Sequence, residues 1–318
     1  MGNGVSKHLP GEESPEMREG FVERINDAMI RHAGEIAKEI GATAVLLYID
    51  IIKSPEKMES LIKESCCILA ARSQGVIDDL GLLKEAEDRI IKVPYANLTR
   101  VSQIKVALML ALSKGIIQRE DRLVCLSGSP KLGVFDHLMV LDMNREFELF
   151  FSKGLEITAQ IETPHVFDRL LTLVLELAEE GKEGRPLGTI FILGDHEKVL
   201  DLSSQIVINP FAGVREDERN IMDPLLKETI RQFASIDGAF VVRDDGVILT
   251  AGRHLKPSAE DMEFPKGLGA RHRAAAGITA LTDALALVIS ESTGDVRIFS
   301  RGRIFMEIEK AGKEWMAG

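Results

Sequence analysis

The sequence predicts an α/β protein of two layered domains, the first with a mostly parallel sheet and the second with a mixed sheet flanked by helices. Three observations carry that expectation. Short apolar runs rich in β-formers alternate with segments of helical period, which is the pattern of strand–helix–strand units. Two later stretches, around Arg243-Asp244-Asp245-Gly246 and Ser300-Arg301-Gly302, read as hairpin turns between apolar runs and so require antiparallel strands. At 318 residues the chain exceeds the length at which one core usually keeps growing, so two cores are expected.

The elements follow in order. From Val22 the apolar positions Ile25, Met29, Ile36 and Ile40 recur at helical spacing, and Gly41 marks the stop. Thr43 to Ile49 and Ser65 to Ala70 read as strands, with Ser54-Pro55 opening a helix between them. Val101, Ile104, Leu108, Leu112 and Ile116 define a second long helix, leading into strands at Arg122 to Leu126 and His137 to Leu141. Residues 21–150 therefore read as one α/β domain with a parallel sheet, preceded by a disordered arm over 1–20.

Asn144 to Ile161 has mixed character and holds the boundary, so the second domain is expected over 155–318. Thr163-Pro164 is a cap followed by proline at the first helical position, and Phe167, Leu170, Leu171, Val174 and Ala178 form one face of the helix. Gly181 to Pro186 stops it and Leu187 to Leu193 reads as a buried strand. Asp223-Pro224 repeats the cap-plus-proline device before Leu226, Ile230 and Phe233, delivering the chain to Ile236-Asp237-Gly238-Ala239. The hairpin Ala239–Val242 and Val247–Thr250 follows, then a helix over Arg271 to Leu281, a strand Ala284 to Ile289, and a closing hairpin of Asp295–Phe299 with Arg303–Ile308.

Composition excludes several classes. Hydrophobic residues at 45% and charged residues at 28% are ordinary for a folded globular chain. A net charge of -11 argues against nucleic acid or an anionic membrane surface as partner, so any basic site is local. Cys66, Cys67 and Cys125 lack the number and spacing of a disulfide framework and read as reduced, buried thiols. No apolar run reaches the roughly 18 residues of a membrane span, and the first twenty residues carry glycine, proline and glutamate where a signal peptide is apolar. A cytoplasmic location is expected. His32, His137, His165, His196 and His254 show no metal-ligand spacing.

The densest chemical constellation is Gly269-Ala270-Arg271-His272-Arg273-Ala274-Ala275-Ala276-Gly277. Glycines before a helix start aim free N–H groups and the positive dipole end at a ligand, and arginine offers paired donors that match phosphate oxygens. The same residues also fit a solvated basic first turn, although cations there oppose the dipole unless an anion is present. Asp237-Gly238-Ala239 places a carboxylate where a helix end meets a buried strand, beside two residues small enough for close ligand approach. That aspartate fits a divalent-cation ligand, a group handling a hydroxyl proton, or a plain turn residue. Ser290-Glu291 ends a strand where α/β sheets commonly present functional groups, and it too fits a simple turn. Ser127-Gly128-Ser129-Pro130-Lys131-Leu132-Gly133 follows a strand and fits an anion cradle for a regulatory ligand, but it lacks the Gly-Lys-Ser/Thr ending of a P-loop and reads first as a connector.

Taken together, Asp237-Gly238-Ala239, Gly252-Arg253-His254-Leu255, Gly267-Leu268-Gly269-Ala270-Arg271-His272-Arg273 and Val288-Ile289-Ser290-Glu291 resemble the diadenylate cyclase domain in content, order and spacing. The likeness runs from about Thr163 to Glu309 and includes Gly188 to Asp195 and Asn209-Pro210-Phe211. Its implication is condensation of two ATP molecules to cyclic di-AMP with release of two pyrophosphates. By that resemblance Asp237 engages the attacking 3′-hydroxyl through a divalent metal, Mn²⁺ or Mg²⁺, while Arg271, His272 and Arg273 hold the phosphates. Gly238, Ala239, Leu255, Gly269, Ala270 and Ser290 line the nucleotide pocket, with Glu291 a candidate for metal or ribose contact. Two copies facing each other are implied, so the chain is expected to self-associate as a dimer or higher homo-oligomer. Ala270 departs from the threonine common before the Arg-His-Arg triplet, removing one hydrogen bond worth about 1 kcal/mol. The first half, through Ile40 to Val45 and Gly115 to Val124, resembles the C-terminal α/β domain of pyruvate kinases, an arrangement that resembles archaeal cyclases. A non-catalytic nucleotide sensor of the same fold is the alternative, disfavoured by the intact Asp237 and Arg271-His272-Arg273.

Overall fold

A computed structural model of the chain describes residues 15–51, 61–62, 66–72, 75, 87–145, 163–256 and 269–312. The helix expected from Ser54-Pro55, most of the boundary segment to Ile161, Gly267-Leu268 and the tail from Lys313 lie outside them, as do the first fourteen residues. The chain divides into two compact units, 1–87 with 122–141 and 88–121 with 142–318.

The first unit opens with helix α1, Pro15–Ile40. Gly41 ends it at φ +64°, and Ala42 donates back to the Ala37 carbonyl, closing the left-handed cap that glycine permits. The deepest side of α1 is Ile30, Ala33, Gly34 and Ala37, while the expected Ile25, Met29, Ile36 and Ile40 sit half-buried beside them. The small residues decide that rotation: a β-carbon on Gly34 would lie 2.8 Å from Leu61 Cδ1. Strand β1, Ala44–Tyr48, pairs in parallel with β2, Cys67–Ala71.

Strand β3, Ile90–Lys92, and helix α2, Arg100–Ser113, belong to the second unit. The first resumes with β4, Arg122–Ser129, also parallel to β1, and β5, Val134–Asp142. Cys67 and Cys125 are buried as expected, but Cys66 is exposed because it precedes the strand that takes its neighbour inward. Of the segment Ser127 to Gly133, the first three residues end β4 and Pro130 to Gly133 form the turn into β5. Gly133 donates to the Ser129 carbonyl at 2.8 Å, and the buried Asn26 amide bonds Gly133 O and Phe135 N.

In the second unit α3 spans Pro164–Glu180. Thr163 holds the N-cap position, yet its hydroxyl makes no capping bond; proline at the next position sets the helical φ without it. Next come β6, Thr189–Leu193; α4, His196–Asp201; β7, Ser203–Gln205; and α5, Leu226–Phe233. Asp223 accepts from Leu225 N at 2.9 Å, so the cap-plus-proline pair forms a turn and the helix proper starts two residues past it, at Leu226. The remaining elements are β8, Ala239–Val242; β9, Ile248–Leu255; α6, Ala270–Leu281; β10, Leu285–Ile289; β11, Val296–Ser300; and β12, Arg303–Ile308.

The seven strands of this unit run in the order β12-β11-β10-β6-β8-β9-β7. Among the described residues of this sheet only β6 and β8 pair in parallel, so the sheet is mixed as expected. Helix α6 lays Ala275, Ala276 and Ile278 on Ile190, Ile192, Val288 and Phe299. Alanines there let the helix approach closely, which brings its first turn level with the strand ends. Helix α3 packs against β10 and β11, and α2 packs on α3 and β12, where Lys105 Nζ donates to the Glu307 carbonyl at 2.9 Å. Among the described residues no helix is long and apolar enough to cross a membrane.

Candidate active site

Asp237 emerges from the turn that closes α5, where Ala234 N donates to Ile230 O and Ile236 N to Phe233 O. The next residue, Gly238, has φ +112°, and a β-carbon on it would lie 2.5 Å from Gly252 C and 2.6 Å from Arg253 N. Only glycine fits that crossing of β8 and β9 backbones. The β8–β9 register shifts directly after Ala239, which is itself fully buried. The aspartate is thus carried out of the core on rigid backbone, with its side chain 87% exposed.

The flanking motif residues hold β9 in place. Arg253 donates from Nε to Ser203 Oγ at 2.8 Å and from Nη2 to the Leu200 and Ser203 carbonyls at 2.6 and 2.8 Å. Desolvation lowers its pKa, as befits a guanidinium used as an internal brace. Asn209 Oδ1 accepts from Ala251 N and Phe211 N, which explains the Asn-Pro-Phe segment. Leu255 is 5% exposed and joins Ala239 in the core cluster beneath α6.

Helix α6 begins at an N-cap glycine, Gly269, whose extended backbone has no side chain to satisfy the first-turn N–H groups. Those donors and the dipole favour an anion there. Ala270 and Arg273 are exposed on this turn. Arg271 runs across the strand ends: Nη2 lies 3.2 Å from Asp237 Oδ1 and Nη1 donates to Glu291 Oε2 at 2.5 Å. Gly188 makes room for it, since a β-carbon there would sit 2.6 Å from Glu291 Cβ and 2.9 Å from Arg271 Nη1. Ser290, 5% exposed, closes the turn after β10, with Ser290 N donating to Asp295 O and Gly294 N to Ser290 O.

His272 turns its Nε2 edge into the core. It is 7% exposed, with Nε2 3.0 Å from Arg297 Nη1 and its ring 6.1 Å from that of Phe299. Burial, then the Arg297 charge, lowers its pKa. The structure thus gathers Asp237, Arg271 and Glu291 into one ion triad, leaves Ala270 and Arg273 on the open turn, and turns His272 inward. Gly188 and Arg297 were not among the expected site residues. Gly188 carried a signal, a glycine directly before a buried strand; Arg297 carried none.

Among the described residues no three His, Cys, Asp or Glu side chains cluster as a metal cage. One exposed carboxylate still fits Mn²⁺ or Mg²⁺, which commonly take one or two protein carboxylates and draw the other ligands from phosphate and water. Asp237, with Oδ1 engaged by Arg271 and its side chain open, meets that requirement.

The second unit is thus a mixed α/β sheet that carries, at its strand ends, an open glycine-capped helix start and an arginine shared by two carboxylates. Residues 176–304 match the family model described as "DisA bacterial checkpoint controller nucleotide-binding", and residues 26–151 match "Probable sensor domain DacZ_P". The chain is 31% identical over 305 residues to a diadenylate cyclase of Methanocaldococcus jannaschii, covering 88% of this chain and 96% of that one. A diadenylate cyclase of Haloferax volcanii is 33% identical over 229 residues, 71% of this chain and 81% of the relative. The cyclic di-AMP synthase CdaA of Bacillus subtilis is 37% identical over 81 residues, 25% of this chain and 29% of the relative. The chain belongs to the diadenylate cyclase family.

Proposed function

We propose that this ATP-dependent nucleotidyltransferase condenses two ATP molecules into cyclic di-AMP, the O3′ of each forming a bond to the α-phosphorus of the other. The bond from that phosphorus to the bridging oxygen breaks, pyrophosphate leaves, and the 3′-hydroxyl proton passes by way of the exposed Asp237 carboxylate to solvent. What supports this reading, beside family membership, is the Asp237–Arg271–Glu291 triad at the start of α6.

Asp237 holds the attacking hydroxyl in line and accepts its hydrogen bond. Arg271 and Arg273, with the first-turn N–H groups of α6, bind phosphate oxygens and stabilise the charge that builds on departing pyrophosphate. A divalent cation at Asp237, Mn²⁺ or Mg²⁺, would supply polarisation of the α-phosphate and a more acidic 3′-hydroxyl. His272 acts from beneath, through the helix start. Gly238, Ala239, Leu255, Gly269, Ala270 and Ser290 line the nucleotide pocket.

One domain presents one such hydroxyl and one such phosphate site, so two copies must face each other across a two-fold axis. Residues 21–150 govern that pairing as a regulatory or assembly domain. The test is incubation with ATP and Mn²⁺ or Mg²⁺, with products separated by chromatography, beside an Asp237→Asn control. Cyclic di-AMP from the native chain and about a hundredfold less from the control is the expected result. Pyrophosphate without a cyclic product, or equal turnover by the control, would overturn it.

A further inference from the structure

Helix geometry makes His272 the third residue after the N-cap glycine, the position from which a side chain leans back over its own helix start. Its Nδ1 lies on that side, 3.9 Å from where a β-carbon on Gly269 would stand. The opposite nitrogen, Nε2, meets Arg297 Nη1 at 3.0 Å. A guanidinium only donates, so Nε2 must accept, and the proton of the neutral ring belongs to Nδ1.

Arg297 has little freedom to do otherwise. Its Nε donates to Glu307 Oε1 at 2.6 Å, and Nη2 also contacts that carboxylate, directly across the β11–β12 pair. Glu307 is fixed in turn by its backbone carbonyl, which accepts from Lys105 Nζ on α2. The charged groups that bear on the ring are Arg297 on β11, Glu307 on β12 and Arg271 on α6 itself.

We infer that Arg297, clamped by Glu307, is a positioning residue that fixes His272 as the Nδ1–H tautomer and so makes it a hydrogen-bond donor to the anionic ligand at the start of α6. The inference rests on the cyclase reading only for the identity of that ligand. Depression of the His272 pKa by burial and by Arg297 agrees with a ring kept neutral.

The decisive variant is the charge exchange Arg297→Glu with Glu307→Arg, which retains a cross-strand ion pair but sets an acceptor against Nε2. Full-length chain labelled with ¹⁵N-histidine, with His272→Asn to assign the resonance, reads the tautomer directly. The native ring is expected as Nδ1–H at neutral pH, shifting on addition of pyrophosphate; the exchange variant is expected as Nε2–H or imidazolium. In parallel, kcat for cyclic di-AMP should fall about 10- to 100-fold in the exchange variant, and Arg297→Lys, which still donates, should recover most of it.

An Nε2–H or imidazolium native ring, or an exchange variant with unchanged kcat, overturns the inference. If the exchange variant does not fold, the native spectrum and Arg297→Lys decide alone. A native chain that shows the Nδ1–H ring and its pyrophosphate shift but makes no cyclic product would overturn the cyclase reading while leaving this one standing.

Discussion

Arg271 Nη1 donates to Glu291 Oε2 at 2.5 Å across a gap that exists because residue 188 has no side chain. The second nitrogen of the same guanidinium reaches Asp237, so a single planar group spans the ends of β8 and β10. Lysine cannot copy that span, since its ammonium is one point charge. Arg271→Lys should lower kcat/KM about 100-fold, measured as steady-state product formation. The thermal midpoint should move little, because exposed ion pairs contribute only about 0–1 kcal/mol.

Gly188→Ala tests the gap. The added methyl would meet Glu291 Cβ and the Arg271 guanidinium, pushing both out of alignment. Displacement of an oriented group by about 1 Å can cost up to 100-fold, so activity should fall at least tenfold. Retention of native rates would show that the triad spacing is not used.

Gly238→Ala should act on the fold. At φ +112° any β-carbon is strained, and here it also strikes the Gly252 and Arg253 backbone. A loss of about 1–3 kcal/mol or more is expected, read as a lowered midpoint in thermal or denaturant unfolding. A midpoint equal to the native one would refute the crossing.

His272 gives a pH signature. Its folded pKa lies below the ordinary histidine value, chiefly through burial and then Arg297. The unfolded ring therefore takes up its proton first as pH falls, so stability declines from the ordinary histidine range downward until the folded ring also protonates. Unfolding measured from pH 8 to 5 should show a steeper acid loss in the native chain than in His272→Asn. Equal slopes would contradict it.

Much of this was legible in the chain, and the exceptions have physical causes. Gly41, Gly246 and Arg301-Gly302 announced their turns because each needs positive φ, and all have it. The Asp237 and Arg271 motifs stood out because the helix start and strand end that carry them are local features. The inward turn of His272 was not legible, because its partner lies in the closing hairpin. Counted from the turn at Arg301-Gly302, an unbroken ladder would set Arg297 opposite Met306. The irregularity between Ile298 and Phe299 passes over Phe305 and sets it opposite Glu307 instead. No periodicity rule reports a one-residue slip of that kind. The buried face of α1 was displaced for a similar reason, since alanine and glycine pack deepest while carrying the weakest apolar signal.

Two carboxylates flank one guanidinium at the site, so that cluster holds a surplus of negative charge. A bare polyphosphate approaching it meets repulsion from Asp237 and Glu291 as well as attraction from Arg271. The same polyphosphate with its charge already compensated does not. On the proposed reading, the triad would favour nucleotide that already carries a counterion over free nucleotide.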